Sequence, residues 1–210
     1  MIEGIDVSGW SGNLDLEAIA GSKAFVYHQA TDGVGTVDKM LIPRTNALRG
    51  VGMGNVIGVY HFLRVRHGMK QDADEQCKQH LDARANAGGV LPTWLDVELG
   101  EPNSSNRAAT HDEVRAAVEL FVETWQRCLG GALVGYSSPG EMAVMGLDKV
   151  DAFTSLPLAL AEYNGGKPPT LPAPYTAWLF HQWAGDVQAY RGIVDCVRFN
   201  GTIDDLLNAA

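Results

Sequence analysis

Short apolar runs punctuate this chain, and the stretches between the early ones are amphipathic. Eight of the runs read as β-strands, over residues 3–7, 24–30, 56–62, 91–97, 132–136, 157–163, 177–183 and 193–197. The strongest helical pattern covers 111–129. There Val114, Ala117, Val118, Phe121, Val122 and Trp125 recur at three and four and make one apolar face. Thr110 and Glu113 have capping-box spacing before it, and Gly130–Gly131 can end it. A second helix is expected over 69–87, stopping at Gly88–Gly89. Shorter ones are expected over 14–20, 36–49 (limited by Pro43), 139–145 and 202–207.

After the sixth strand the pattern changes. Gly165, Gly166, Pro168, Pro169, Pro172 and Pro174 exclude a helix before the seventh strand, and 185–191 is too short for a full one. Strands alternating with helices predict a mainly parallel α/β sheet. Eight strands suggest closure into a barrel, and a chain of 210 residues sits at the low end for that architecture. Residues 1–210 read as a single domain without repeats or linkers.

Composition narrows the partners. Sixteen Lys and Arg against 25 Asp and Glu give a formal charge of −9, with a pI near 5.0. This argues against general nucleic-acid binding and against attraction to an anionic membrane. No run of apolar residues is long enough for a transmembrane helix, and the N-terminus has no basic and apolar signal-peptide regions. Cys77, Cys128 and Cys196 form no CxxC pair and read as small buried side chains. His28, His61 and His181 fall within strands without metal-ligand spacing, so neither metal nor cofactor is expected.

The acidic residues carry the chemistry. Asp6, the Asp96/Glu98 pair and Asp195 each sit at the end of an apolar run. An unpaired charge is costly there, because desolvating a carboxylate is unfavourable. Residues two apart on a strand share a face, so Asp96 and Glu98 project together. Parallel barrels carry their active sites at the C-terminal strand ends, where these four residues are expected. Neighbouring carboxyls raise one another's pKa, which keeps one protonated as an acid. Glycosidic cleavage needs that acid and a second group across the ring. Tyr60, Phe62, Tyr136, Tyr163, Trp178 and Trp183 supply aromatic surfaces near strand ends on which a pyranose could stack.

These motifs are similar to those of the glycoside hydrolase family 25 lysozymes, the Chalaropsis-type N-acetylmuramidases. The matching blocks are GIDVSGWSG (4–12), FVYHQATDG (25–33), GVYHFL (58–63), LPTWLDVE (91–98), GYSSP (135–139), LALAEY (158–163), LFHQWA (179–184) and IVDCVRFNGTIDDL (193–206). The resemblance implies a flattened, incomplete barrel of eight strands and about five helices. It implies hydrolysis of the β-1,4 bond between N-acetylmuramic acid and N-acetylglucosamine in peptidoglycan. Glu98 matches the general acid/base, and Asp96, Asp6 and Asp195 match the other acids of the groove. Tyr60 and Tyr136 match substrate contacts, to which Phe62, Tyr163, Gln182 and Trp183 are added. A retaining mechanism assisted by the substrate's acetamido group is implied, without a cofactor. One departure stands out. Many members read Lys-Ala-Thr-Glu-Gly where this chain has Gln29-Ala30-Thr31-Asp32-Gly33. The resemblance also suggests a monomeric phage-type endolysin without a wall-binding domain, made in the cytoplasm and released through a holin-made lesion.

Overall fold

The computed structural model describes residues 1–209. Nine strands form one sheet: β1 (Ile2–Val7), β2 (Phe25–Asp32), β3 (Thr36–Val37), β4 (Ile57–Phe62), β5 (Thr93–Asp96), β6 (Leu133–Ser137), β7 (Leu158–Ala161), β8 (Phe180–Ala189) and β9 (Gly192–Phe199). Their order is β1-β9-β8-β7-β6-β5-β4-β2-β3, and a parallel β1–β2 pairing closes the eight longer strands into a barrel. Seven α-helices are present: α1 (Leu16–Ala20), α2 (Leu41–Gly50), α3 (Ala73–Ala87), α4 (His111–Cys128), α5 (Pro139–Met145), α6 (Asp151–Thr154) and α7 (Ile203–Asn208). The expected α/β barrel is therefore the fold, and no helix separates β7 from β8.

The periodic segments match the sequence reading most closely. The Thr110–Glu113 capping box forms, and α4 buries Val114, Ala117, Val118, Phe121 and Trp125. Departures occur where an element is too short to show a period. The two-residue β3 and four-residue α6 carry no such signal. The helix expected over 36–49 begins only at Leu41, because Thr36–Val37 pairs with the end of β2. Pro43 falls in its first turn, where a missing N–H costs nothing. Cys77 and Cys196 are buried as expected, but Cys128, at the end of α4, is exposed.

The larger correction concerns β9, which runs antiparallel to both β1 and β8. The stretch 185–191 is not a crossover. It extends β8 and turns directly into β9 at Tyr190–Arg191, whose φ values are 51° and 63°. Two successive left-handed residues match the twist of a tight hairpin. Asp195 thus lies in the first half of its strand rather than at a C-terminal end. Because the strand is reversed, that half opens at the same mouth.

Alternation divides each barrel strand between two environments. On β1, Ile5 and Val7 pack outward with Ile19, Leu48 and Met53. Gly4 and Asp6 face inward. The lower interior is filled by Phe25, Tyr27, Trp94, Phe180 and Phe199. Trp94 stacks on Tyr27 with centroids 3.8 Å apart. Gly58 makes room for these rings, since a Cβ there would collide with the Tyr27 ring. Above this aromatic floor the inward layer turns polar.

Candidate active site

The polar layer is assembled from strand ends that are remote in sequence. Asp6 and Asp195 are direct partners across β1 and β9. Asp96 ends β5 opposite Phe62 of β4 and Tyr136 of β6. Glu98 follows two residues beyond Asp96, at the partly buried rim. All four acids meet at one mouth. Asp6 and Asp96 are 7% and 5% exposed, and each has one carboxylate oxygen, Oδ1, without a protein partner. A buried acceptor left unpaired costs about 1–3 kcal/mol, which a ligand N–H or O–H would recover.

Burial dominates the electrostatics. It pushes Asp6 well above the usual carboxylate range, helped by Asp195 and Glu98. It does the same to Asp96, helped by the like charges of Glu98 and Asp6. Glu98 is pushed up to about 8 by burial and by the neighbouring Glu141 and Asp195. Asp195 is also raised by burial, although it accepts the Asp186 backbone N–H at 2.8 Å. Glu98 can therefore hold a proton near neutral pH, the state a general acid needs.

Gln182 ties the acids together. Its Nε2 donates to Asp6 Oδ2 at 3.1 Å and to Asp195 Oδ2 at 3.2 Å. Its Oε1 accepts from Tyr136 at 2.7 Å and from Tyr163 at 3.0 Å. This side chain is 2% exposed and its hydrogen-bonding positions are engaged within the protein, so it braces the acids and tyrosines around it. Tyr136 is likewise buried, with its hydroxyl turned to Gln182. Tyr60 is partly buried and lines the small cavity beside Asp6 and Asp195. Tyr163 is 64% exposed and lies against Gly185, where a side chain would collide with its ring. Trp183 is covered on one face by the Arg198 guanidinium, 4.9 Å from a ring centroid. Trp178 sits edge-on to His181 outside this cluster.

Two neighbours of the site escaped the sequence reading. Trp10 stands in the turn after β1 and is 89% exposed. It borders both a cavity of about 130 Å³ beside Asp6, Tyr60 and Asp195 and a larger one of about 410 Å³. The larger cavity is also lined by Gln29, Asp32, Phe62 and Arg64. Asp32 is paired with Arg64, Nη2 to Oδ2 at 2.6 Å, so its charge is compensated within the protein. An indole beside a Ser-Gly turn at a strand end was the available signal for Trp10. Glu141 is the second neighbour; its Ser-x-x-Glu spacing reads only as a helix cap.

The histidines are satisfied internally. His61 bonds Thr31 at 2.8 Å and Gln76 at 3.0 Å, His28 bonds Arg44, and His181 bonds the Glu162 carbonyl. Among the described residues, no cluster of His, Cys, Asp and Glu could hold a metal ion.

With this geometry in place, the family comparison is decisive. The model of glycosyl hydrolases family 25 matches residues 5–191, beginning within β1 and ending in the β8–β9 turn. The chain belongs to glycosyl hydrolases family 25. It is a glycoside hydrolase. Lysozyme M1 of Streptomyces globisporus is 25% identical over the whole chain and 71% of its own length. N,O-diacetylmuramidase of Arthroderma benhamiae is 27% identical, over 98% of this chain and 85% of its own. The fold is shared with a muramidase from Acremonium alcalophilum, at a TM-score of 0.83 and 23% identity over 100% of this chain and 98% of that one. The family 25 lysozyme of Aspergillus fumigatus has the same TM-score, 22% identity and the same coverage. This family 25 member thus keeps the barrel at low sequence identity.

Proposed function

We propose that this family 25 hydrolase is an N-acetylmuramidase. It cleaves the β-1,4 bond between N-acetylmuramic acid and N-acetylglucosamine in bacterial peptidoglycan, with Glu98 as general acid/base. The observation that carries this reading is a rim carboxyl group held protonated to about 8, beside the buried acids Asp6 and Asp96 that each keep an unpaired oxygen. The relatives named for lysozyme and muramidase activity support the substrate.

The chemistry follows from these placements. Glu98 gives its proton to the glycosidic oxygen as the bond to the anomeric carbon breaks. The substrate's acetamido oxygen attacks that carbon, while the free Asp96 oxygen accepts the acetamido N–H. A water then opens the resulting ring, passing its proton to Glu98 and restoring the acid. The anomeric configuration is retained, one of the exceptions to the two-carboxylate pattern. Trp10, exposed between two cavities, offers a flat face along the path of an extended polymer. With a net charge of −9, binding to wall polymer must come from this groove rather than from bulk attraction.

The test is digestion of purified peptidoglycan by wild type and Glu98→Gln, with new reducing ends identified by mass spectrometry after borohydride reduction. Wild type should produce reduced muramic acid ends. Glu98→Gln should keep the fold and lower kcat by roughly 10²–10⁴, the usual range for acid–base catalysis. Glucosaminyl ends would overturn the bond specificity, and full activity of the variant would overturn the role of Glu98.

A further inference from the structure

Three backbone groups around Glu98 are each held by a different side chain. Ser137 donates its hydroxyl to the Val97 carbonyl at 2.8 Å. Asn106, 1% exposed, donates its amide to the Glu98 carbonyl at 2.7 Å and to the Leu63 carbonyl at 2.8 Å. Glu141 Oε1 accepts the Leu99 N–H at 3.1 Å. The first two are neutral and complete ordinary loop bonding. Glu141 is different, because it brings a carboxyl group to the acid/base. Its Oε2 accepts the Ser138 hydroxyl at 3.2 Å, so both oxygens are oriented by donors.

We propose that Glu141 is a positioning residue for the acid/base, fixing the Glu98 segment through Leu99 and holding its own carboxyl group beside that segment, where its charge keeps Glu98 loaded with its proton. The inference rests on Glu98 being the acid/base. Burial is the largest influence on the Glu98 proton, with the charge of Glu141 next. The other titratable groups that face Glu98 are Asp195 of β9, Asp6 of β1 and Asp96 of β5, together with Tyr60, Tyr136 and Tyr163. Those groups belong to the mouth itself, whereas Glu141 reaches it from α5 outside the barrel. A carboxylate fixed at the Leu99 N–H stands next to Glu98 in the chain, and a like charge there opposes ionisation of Glu98. The outer carboxyl thereby keeps the inner one loaded without occupying the groove.

The experiment measures kcat/KM against pH for wild type, Glu141→Gln and Glu98→Gln on a soluble uncrosslinked glycan strand. Glutamine keeps an oxygen for the Leu99 N–H and removes the charge. The alkaline limb of Glu141→Gln should move down by about one unit or more; a one-unit move from about 8 is a loss of about fivefold at pH 8 and approaches tenfold at higher pH. Activity near pH 5 should stay within about threefold and KM should be unchanged, because charge rather than binding is lost. A superimposable limb, or a uniform loss at every pH, would overturn the proposal. If Glu141→Gln does not fold, Glu141→Ala removes the same charge and should move the limb the same way; an unmoved limb overturns it equally. Full activity of Glu98→Gln would instead defeat the acid/base reading beneath it, so the two failures are separable.

Discussion

At the scale of single residues, the candidate site is a problem of satisfying buried polar atoms. Six inward side chains, Asp6, Tyr60, Asp96, Tyr136, Gln182 and Asp195, replace the apolar lining that fills the barrel below them. Gln182 makes that layer possible by giving hydrogens to two carboxylates and taking them from two tyrosines. Gln182→Leu keeps the volume but removes all four bonds. It should cost about 1–3 kcal/mol of stability, the penalty for leaving buried partners unpaired. Chemical denaturation and turnover measured together check this, and activity should fall at least tenfold because Asp6 and Asp195 lose their common anchor. A variant as stable and active as wild type would make Gln182 dispensable. The identities of the acids were legible from their position at the ends of apolar runs. The brace was not, because a glutamine in a strand gives no sign of how many partners it will meet.

At the scale of elements, the decisive feature is the reversal of β9. Read as a sequence, its short apolar run gives length and alternation but no direction. Direction is set by the connection, and here a two-residue turn with left-handed backbone at Tyr190 and Arg191 leaves no room for a crossover helix. The reversal brings Asp195 into direct register with Asp6, the adjacency expected of the first and last strands, by a different route. The aromatic floor constrains the strands in another way. Gly58 of β4 faces the Tyr27 ring so closely that an alanine methyl group cannot fit without displacing it. Gly58→Ala should therefore destabilise the barrel by about 1–3 kcal/mol through overpacking. Thermal or urea unfolding would measure it. An unchanged midpoint would mean that the Tyr27–Trp94 stack shifts freely.

At the scale of the whole molecule, the buried titratable groups give stability two opposing slopes. Asp6, Asp96, Asp195 and Glu98 have raised pKa values, so their contribution is fully present at low pH. It is lost as pH rises through the folded values, about 8 for Glu98. His28 and His61 are lowered by burial to about 4, and His80 is also lowered. Their contribution is present above the unfolded histidine value and is lost as pH falls through the folded one. Above about pH 6.5, the ordinary histidine value, the decline belongs mainly to the acids. Tm should fall from pH 6.5 to 8.5 in wild type and fall less steeply in Glu98→Gln. Equal slopes in a scanning calorimeter would show that the Glu98 proton is not linked to folding.

The chain by itself determined the strand and helix periods, the capped α4, the barrel class and the identities of the four acids. Each is a local property: hydrophobic spacing fixes an element, and a charge on an apolar run marks a site. Tertiary structure decided the direction of β9, the bracing of two acids and two tyrosines by Gln182, the exposure of Trp10 between two cavities and the placement of Glu141 beside the Glu98 segment. These depend on which surfaces the barrel brings together across long stretches of chain, and no local pattern encodes a partner that lies 43 residues away.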